Sequence, residues 1–404
     1  MNIVQINYAD LVGRIFDGYD LMEALNNRGH NVWQIVKNKQ SSNNKVIEAG
    51  YDWAVHEGIR NLEYKYGVEN VLFPYAKKIM SLEAVQKADI IHLHILHNGF
   101  VSLFDYPEFF YNKKTVWTIH DPWILTGGCI HPLNCKGWTE VCKQCDELPK
   151  NIYKTDKIRV SDMQSVKRDM WKKIRPEIIV SSSFMEEYIK KSPLTAHITN
   201  VYKIPFGVDY SDYANKDWIE EKRKRILSEE KIRIGFRISN DEIKGCKYIF
   251  EALRKYNLKE RVKLIAVGKG EIPNDIFERY EVKNMGWLNE KEMIDFWKNI
   301  DIFLMPSLAE TFGLMAIESM ATYNPVICFK NTEVAKIVDA PKIGAAVDYG
   351  SSTALGEAIL RLIDNPSVII EKSLASGKLA DTKYKFDDYV TRHERLYEEL
   401  CGKR

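Results

Sequence analysis

Residues 306–320, PSLAETFGLMAIESM, directly follow the apolar run IDIFLM and hold two carboxylates, Glu310 and Glu318, eight positions apart. The pattern predicts a strand-to-helix turn carrying Glu310 and a helix that begins near Gly313, with Glu318 about a turn and a half into it. The first amides of a helix lack intrahelical partners and lie at its positive end, so they suit an anion, and glycine lets the backbone approach it closely. One carboxylate can then accept hydroxyl protons beside a bound phosphate while the other reaches a second set of hydroxyls. A nucleotide ribose and a sugar present two such sets. Two solvated helix acids are the plainer alternative.

The upstream segment RIGFRISNDEIKGCKYIFEAL reads as a strand ending at Arg237, then a loop with Lys244-Gly245 opening a helix. A forked guanidinium and an ammonium seven residues later can converge on a diphosphate. Between these segments lie LIAVGKGE and NMGWLNEKEM. The backbone of 285–288 can hydrogen-bond a base, with Trp287 as a flat wall.

Taken together, these residues resemble the retaining glycosyltransferases of family 4, which have the GT-B fold. The matches are Arg237, Lys244, the pair Glu310 and Glu318 with TFGL between them, and IPFGVD at 204–209. The resemblance spans essentially the full length. It implies a nucleotide-diphospho-sugar donor, UDP- or GDP-linked, held mainly by the C-terminal domain. It implies donor contacts from Gly13, Arg237, Lys244, Trp287, Glu310, Thr311, Phe312, Gly313, Leu314 and Glu318. Within that set Glu310 meets sugar hydroxyls, Glu318 the ribose, and Arg237 with Lys244 the diphosphate. KTVWTIHDPWILTGGCIHP and DIIHLHILHNGFVSL are similar to segments of the colanic-acid and exopolysaccharide type, which implies that His120 lies against the donor sugar. His120 and Glu310 are the expected catalytic pair. In the first loop, ADLVGRIFDGYD, relatives carry two or three glycines where this chain has Gly13 alone, so Arg14 is the expected substitute phosphate contact. The implied reaction moves a sugar with retention to a hydroxyl of a glycan or lipid-linked oligosaccharide in bacterial surface polysaccharide synthesis. No Asp-x-Asp suggests a catalytic metal, so no catalytic cofactor is expected. The alternatives are another GT-B enzyme, such as a nucleotide-sugar epimerase or hydrolase, and a non-catalytic zinc-knot binding module.

Four of the seven cysteines, Cys129, Cys135, Cys142 and Cys145, crowd into GCIHPLNCKGWTEVCKQC. The closing Cys-x2-Cys is a good half-site for a structural zinc, and the first pair is wider than usual. Free thiols are the alternative. His92 and His94 share a strand face that His97 leaves, which favours packing over metal binding. Phe100, Leu103 and Phe104 fit a core face, leaving Phe109, Phe110, Lys113 and Lys114 as a patch for peripheral membrane contact. Residues 157–175 add a basic face that anionic lipid would suit.

The elements that must position these residues alternate. Short β-branched runs at 2–7, 32–36, 90–94, 115–119 and 178–181, then 233–236, 263–267, 302–305, 326–329 and 345–347, are separated by amphipathic stretches. That alternation predicts an α/β chain of two doubly wound, Rossmann-like domains facing across a central cleft. The expected divisions are 1–208 on the acceptor side and 209–385 on the nucleotide-sugar side, with a charged linker at 209–231. A terminal helix at 386–404 is expected to return to the first domain, with Tyr389, His393, Leu396, Tyr397 and Leu400 on one face. The 404 residues carry 58 basic against 56 acidic side chains. This balance argues against a nucleic-acid partner. No apolar run approaches a membrane span, and the N-terminus lacks a signal pattern. The expected place is a reducing cytoplasm, at the inner face of the membrane where contact occurs.

Overall fold

The computed structural model describes residues 1–50, 52–111, 113–143, 145, 158–210, 214, 216–228 and 231–402. The start of the basic face at Lys157 and the last two residues lie outside this set. The chain divides into two units, Met1–Phe206 with Tyr389–Arg404, and Gly207–Asp388.

In the first unit the strands are β1 (Asn2–Ala9), β2 (Asn31–Asn38), β3 (Val46–Glu48), β4 (Ile90–Leu93), β5 (Lys114–Thr118), β6 (Glu177–Val180) and β7 (Val201–Lys203). They form one parallel sheet in the order β3-β2-β1-β4-β5-β6-β7. Ile3 of β1 pairs with Val32 on one side and Ile90 on the other, so the apolar run sits mid-sheet. The second unit holds β8 (Ile232–Arg237), β9 (Val262–Val267), β10 (Glu281–Asn284), β11 (Ile302–Met305), β12 (Val326–Phe329) and β13 (Ala345–Val347). Their parallel order is β10-β9-β8-β11-β12-β13. Both sheets are doubly wound: the order reverses beside β1 and beside β8. At such a reversal the loops leaving adjacent strands diverge and open a crevice at their carboxyl ends. Each unit has its own apolar core, one around Ile6, Ile91, Trp117 and Trp171, the other around Ile234, Leu264, Leu304 and Ile327.

Two expectations change here. The charged stretch at 209–231 is not simply a linker, because it contains the helix Lys216–Ser228. Its inward face buries Ile226 and Lys222, whose ammonium bonds the Tyr323 carbonyl at 2.8 Å. The aromatic patch is inverted. Phe109 is wholly buried and Phe110 packs against the core, whereas Phe104 is 62% exposed. The segment is a run of turns closed by the four-residue helix Glu108–Tyr111. Lys113 is also engaged, bonding the carbonyls of Gln86 and Ala88. Among the described residues no helix is long and apolar enough to cross a membrane.

Candidate functional site

In the second unit the loops after β8 and β11 pack on each other because those strands are neighbours. The Leu308 amide donates to the Ile243 carbonyl at 2.8 Å. Gly245 permits the approach: a Cβ there would stand 1.9 Å from the Pro306 carbonyl oxygen, and its φ is +73°. The packing brings Lys244 Nζ to 2.9 Å from Glu310 Oε1, where the Ser307 hydroxyl also donates at 3.0 Å. Arg237 ends β8 and is exposed.

The helix Leu314–Ala321 follows, with Gly313 at its N-cap in the left-handed region and no side chain capping it. Thr311 and Leu314 are half-buried beside this end, while Phe312 is buried and meets Tyr384 edge-on at 6.3 Å. Glu318 is the fifth residue of the helix. Burial pushes its carboxyl up to about 7, and the charge of Glu290 adds to the rise. Glu290 opens the helix Glu290–Lys298, so Glu318 lies within electrostatic reach of the start of that helix. Trp287 is 61% exposed, with Lys269 Nζ 5.3 Å from its ring centroid. The second unit thus joins Lys244 to Glu310 and sets Glu318 near the 285–290 loop.

In the first unit His120 follows β5 and is buried between Phe16 at 4.2 Å and Phe206 at 6.0 Å. Burial holds its imidazole down to about 3, so it is neutral. Its Nε2 lies 3.1 Å from His94 Nδ1. The neighbouring Asp121 instead pairs with His97 at 3.3 Å. In the first loop the Gly13 amide donates to Asp17 Oδ2 at 2.8 Å. Burial raises that carboxyl to about 6, partly offset by the bonds from Gly13 and Asn7. Arg14, the expected phosphate contact, lies between Asp20 at 2.6 Å and Glu23 at 3.1 Å. The negative neighbours of a short acidic stretch capture it locally.

Residues 232–365 match the family described as Glycosyl transferases group 1. This stretch is similar to the group 1 glycosyl transferases. Across 314 residues, 72% of this chain and 70% of the relative, the sequence is 22% identical to WcaC of Escherichia coli K12, a glycosyl transferase provisionally assigned to colanic acid biosynthesis. Sucrose-phosphate synthase of Thermosynechococcus elongatus has a similar fold at TM-score 0.71 and 17% identity, covering 100% of this chain and 99% of that one. HepE of Anabaena, solved with UDP, matches at TM-score 0.67 and 13% identity, covering 99% and 100%. These likenesses give the fold: two parallel-sheet, Rossmann-like domains of the GT-B kind.

Within the second unit, sequence reasoning missed Ser307 and Lys269. Ser307 follows Pro306 in the PSLAE segment, three residues before Glu310, and that spacing is its only signal. In the first unit it missed Asp17, whose partners come from β1, Asn7, and from the first loop, Gly13. The four loop cysteines come together. Cys129, Cys135, Cys142 and Cys145 line one cavity of about 260 Å³ with Trp138 and Val160. Among the described residues no group of three or more His, Cys, Asp or Glu is disposed to hold a metal ion. All four are free thiols, and burial pushes Cys129 up to about 12 and raises Cys142.

Proposed function

We propose that this chain is a metal-independent, retaining glycosyltransferase that moves a sugar from a UDP- or GDP-linked donor to a hydroxyl of a glycan or lipid-linked acceptor in surface polysaccharide synthesis. The convergence of Lys244, Ser307 and Glu310 beside an uncapped helix N-terminus carries the reading. Departure of a diphosphate from an oxocarbenium-like centre needs positive charge placed in advance. Lys244, Arg237 and the amides at 313–314 supply it. Glu310 holds sugar hydroxyls, and Glu318 accepts from the ribose in its ionised form. His120, being neutral, contributes a hydrogen bond rather than a charge. Retention follows a front-face course in which the departing phosphate takes the acceptor proton. The UDP in HepE and the polysaccharide assignment of WcaC support the choice of donor class and pathway class.

A thermal-shift screen of UDP- and GDP-sugars tests the donor class. A ligand at 100 times its Kd should stabilise the fold by about 2.7 kcal/mol. No shift with any of them would sink the reading. Proton NMR of the first-formed product then reports whether the anomeric configuration is kept.

A further inference from the structure

We infer that His94 is a positioning residue that fixes His120 as the Nδ1–H tautomer, so that His120 offers a ligand oxygen a donor and not a base. The inference rests on the reading above only in placing a ligand at His120.

His94 has little freedom. Its amide donates to the Ile6 carbonyl at 2.9 Å, and its carbonyl accepts from Trp117 Nε1 at 3.1 Å. Its ring lies 4.1 Å from that of His92. His92 is itself held at both nitrogens, Nε2 to Thr118 Oγ1 and Nδ1 to the Tyr397 hydroxyl, each at 2.7 Å. The last contact draws on the terminal helix Phe386–Leu400. On the other side is Gly18, where a Cβ would lie 2.9 Å from His94 Nε2.

The 3.1 Å contact between His94 Nδ1 and His120 Nε2 holds one proton, and its direction sets both tautomers. Each ring's remaining nitrogen, His94 Nε2 and His120 Nδ1, is buried without a partner. If His120 donated, His94 would carry its other proton on Nε2, against Gly18 in the interior. Gln5 Oε1, which accepts from Gln34 Nε2 at 3.4 Å, makes no hydrogen bond there. That N–H would stay orphaned whatever bound. Buried N–H groups without acceptors are rarer than acceptors without donors. If His94 donates, its Nε2 is a bare acceptor and the orphan N–H is His120 Nδ1. His120 stands just past β5 at the carboxyl edge of the sheet, where doubly wound folds receive ligands. Only this direction puts the unpaired proton on the residue at the carboxyl edge of the sheet and not against Gly18.

The test uses the full chain labelled with 15N-histidine, read by two-bond proton–nitrogen correlation, with His120→Gln assigning the signals. At pH 7 the wild type should show His120 protonated on Nδ1 and bare on Nε2. His94→Asn, whose side-chain amide can donate from nearly the same place, should keep that tautomer. His94→Phe should lose it. A wild-type His120 protonated on Nε2 overturns the proposal, as does an Nδ1–H signal unchanged in His94→Phe. Should His94→Phe fail to fold, the wild-type and His94→Asn spectra still decide. The readout needs no donor or acceptor, so its failure is separate from failure of the glycosyl-transfer reading.

Discussion

Lys244 Nζ stands 2.9 Å from Glu310 Oε1, so a cation and a carboxylate expected to serve different parts of one ligand hold each other in the structure. The side chains are only 17% and 15% exposed, which keeps solvent from screening the pair fully. On the proposed reading an incoming diphosphate shares Lys244 with Glu310.

That competition separates binding from turnover. Glu310→Gln keeps the shape and an acceptor for Ser307 but removes the charge. UDP binding should tighten a few-fold, from about 1 kcal/mol of relieved attraction, while transfer falls on the order of 10²-fold through lost sugar positioning. Calorimetry with UDP and a turnover assay check the two halves. Unchanged or weaker UDP binding would remove the competition from the account.

The cations give the opposite pattern. Hydrogen bonds to charged groups contribute about 1.5–3 kcal/mol, so Lys244→Ala and Arg237→Ala should each weaken UDP roughly 10- to 100-fold. Their melting temperatures should move little in comparison, since Arg237 is exposed and Glu310 retains Ser307. Equal UDP affinity in the double variant and the wild type would place the phosphates elsewhere.

Glu318 makes a prediction in pH. Burial first, and Glu290 second, raise its carboxyl from 4.5 to about 7 in the folded chain. The folded state therefore keeps a proton that the unfolded state has lost. Stability from this group is complete below about 4.5 and declines as pH rises to about 7. Glu318→Gln should accordingly gain melting temperature over the wild type on going from pH 5 to pH 8. Ribose hydroxyls donate to the ionised form, so wild-type UDP affinity should rise across the same step more steeply than in Glu318→Gln, which shares UDP's own titration. Parallel curves would detach Glu318 from the ribose.

What the sequence makes legible follows from where the physics is local. All ten apolar runs are strands, because a parallel strand covered on both faces needs a continuous β-branched segment. The strands it hides, β3, β7 and β10, are sheet edges. β10 has no fully buried residue, so no apolar run marks it. The chemistry-bearing residues of the second unit are legible from motif spacing. Their convergence is not, since it depends on β8 lying beside β11, strands separated by the whole of β9 and β10. His94 shows the same limit: as one histidine of HLHILH it reads as packing, and only the fold brings it to His120.

The loop-on-loop approach that makes the Lys244–Glu310 contact supplies the last prediction. Gly245 sits at φ +73°, and a methyl added there would overlap the Pro306 carbonyl oxygen at 1.9 Å. Pro306 is backbone at the end of β11 and cannot rotate away as a side chain could. Gly245→Ala must strain the left-handed residue, which costs of order 1–3 kcal/mol, or part the two loops. Parting them would break the Leu308–Ile243 hydrogen bond and carry Lys244 away from Glu310. The variant should lose stability by about 2 kcal/mol or more and bind UDP at least tenfold more weakly, since both losses have one cause. Chemical denaturation and calorimetry on the same sample check this. A variant that melts lower but binds UDP like the wild type would show that the loop contact supports the fold without placing Lys244.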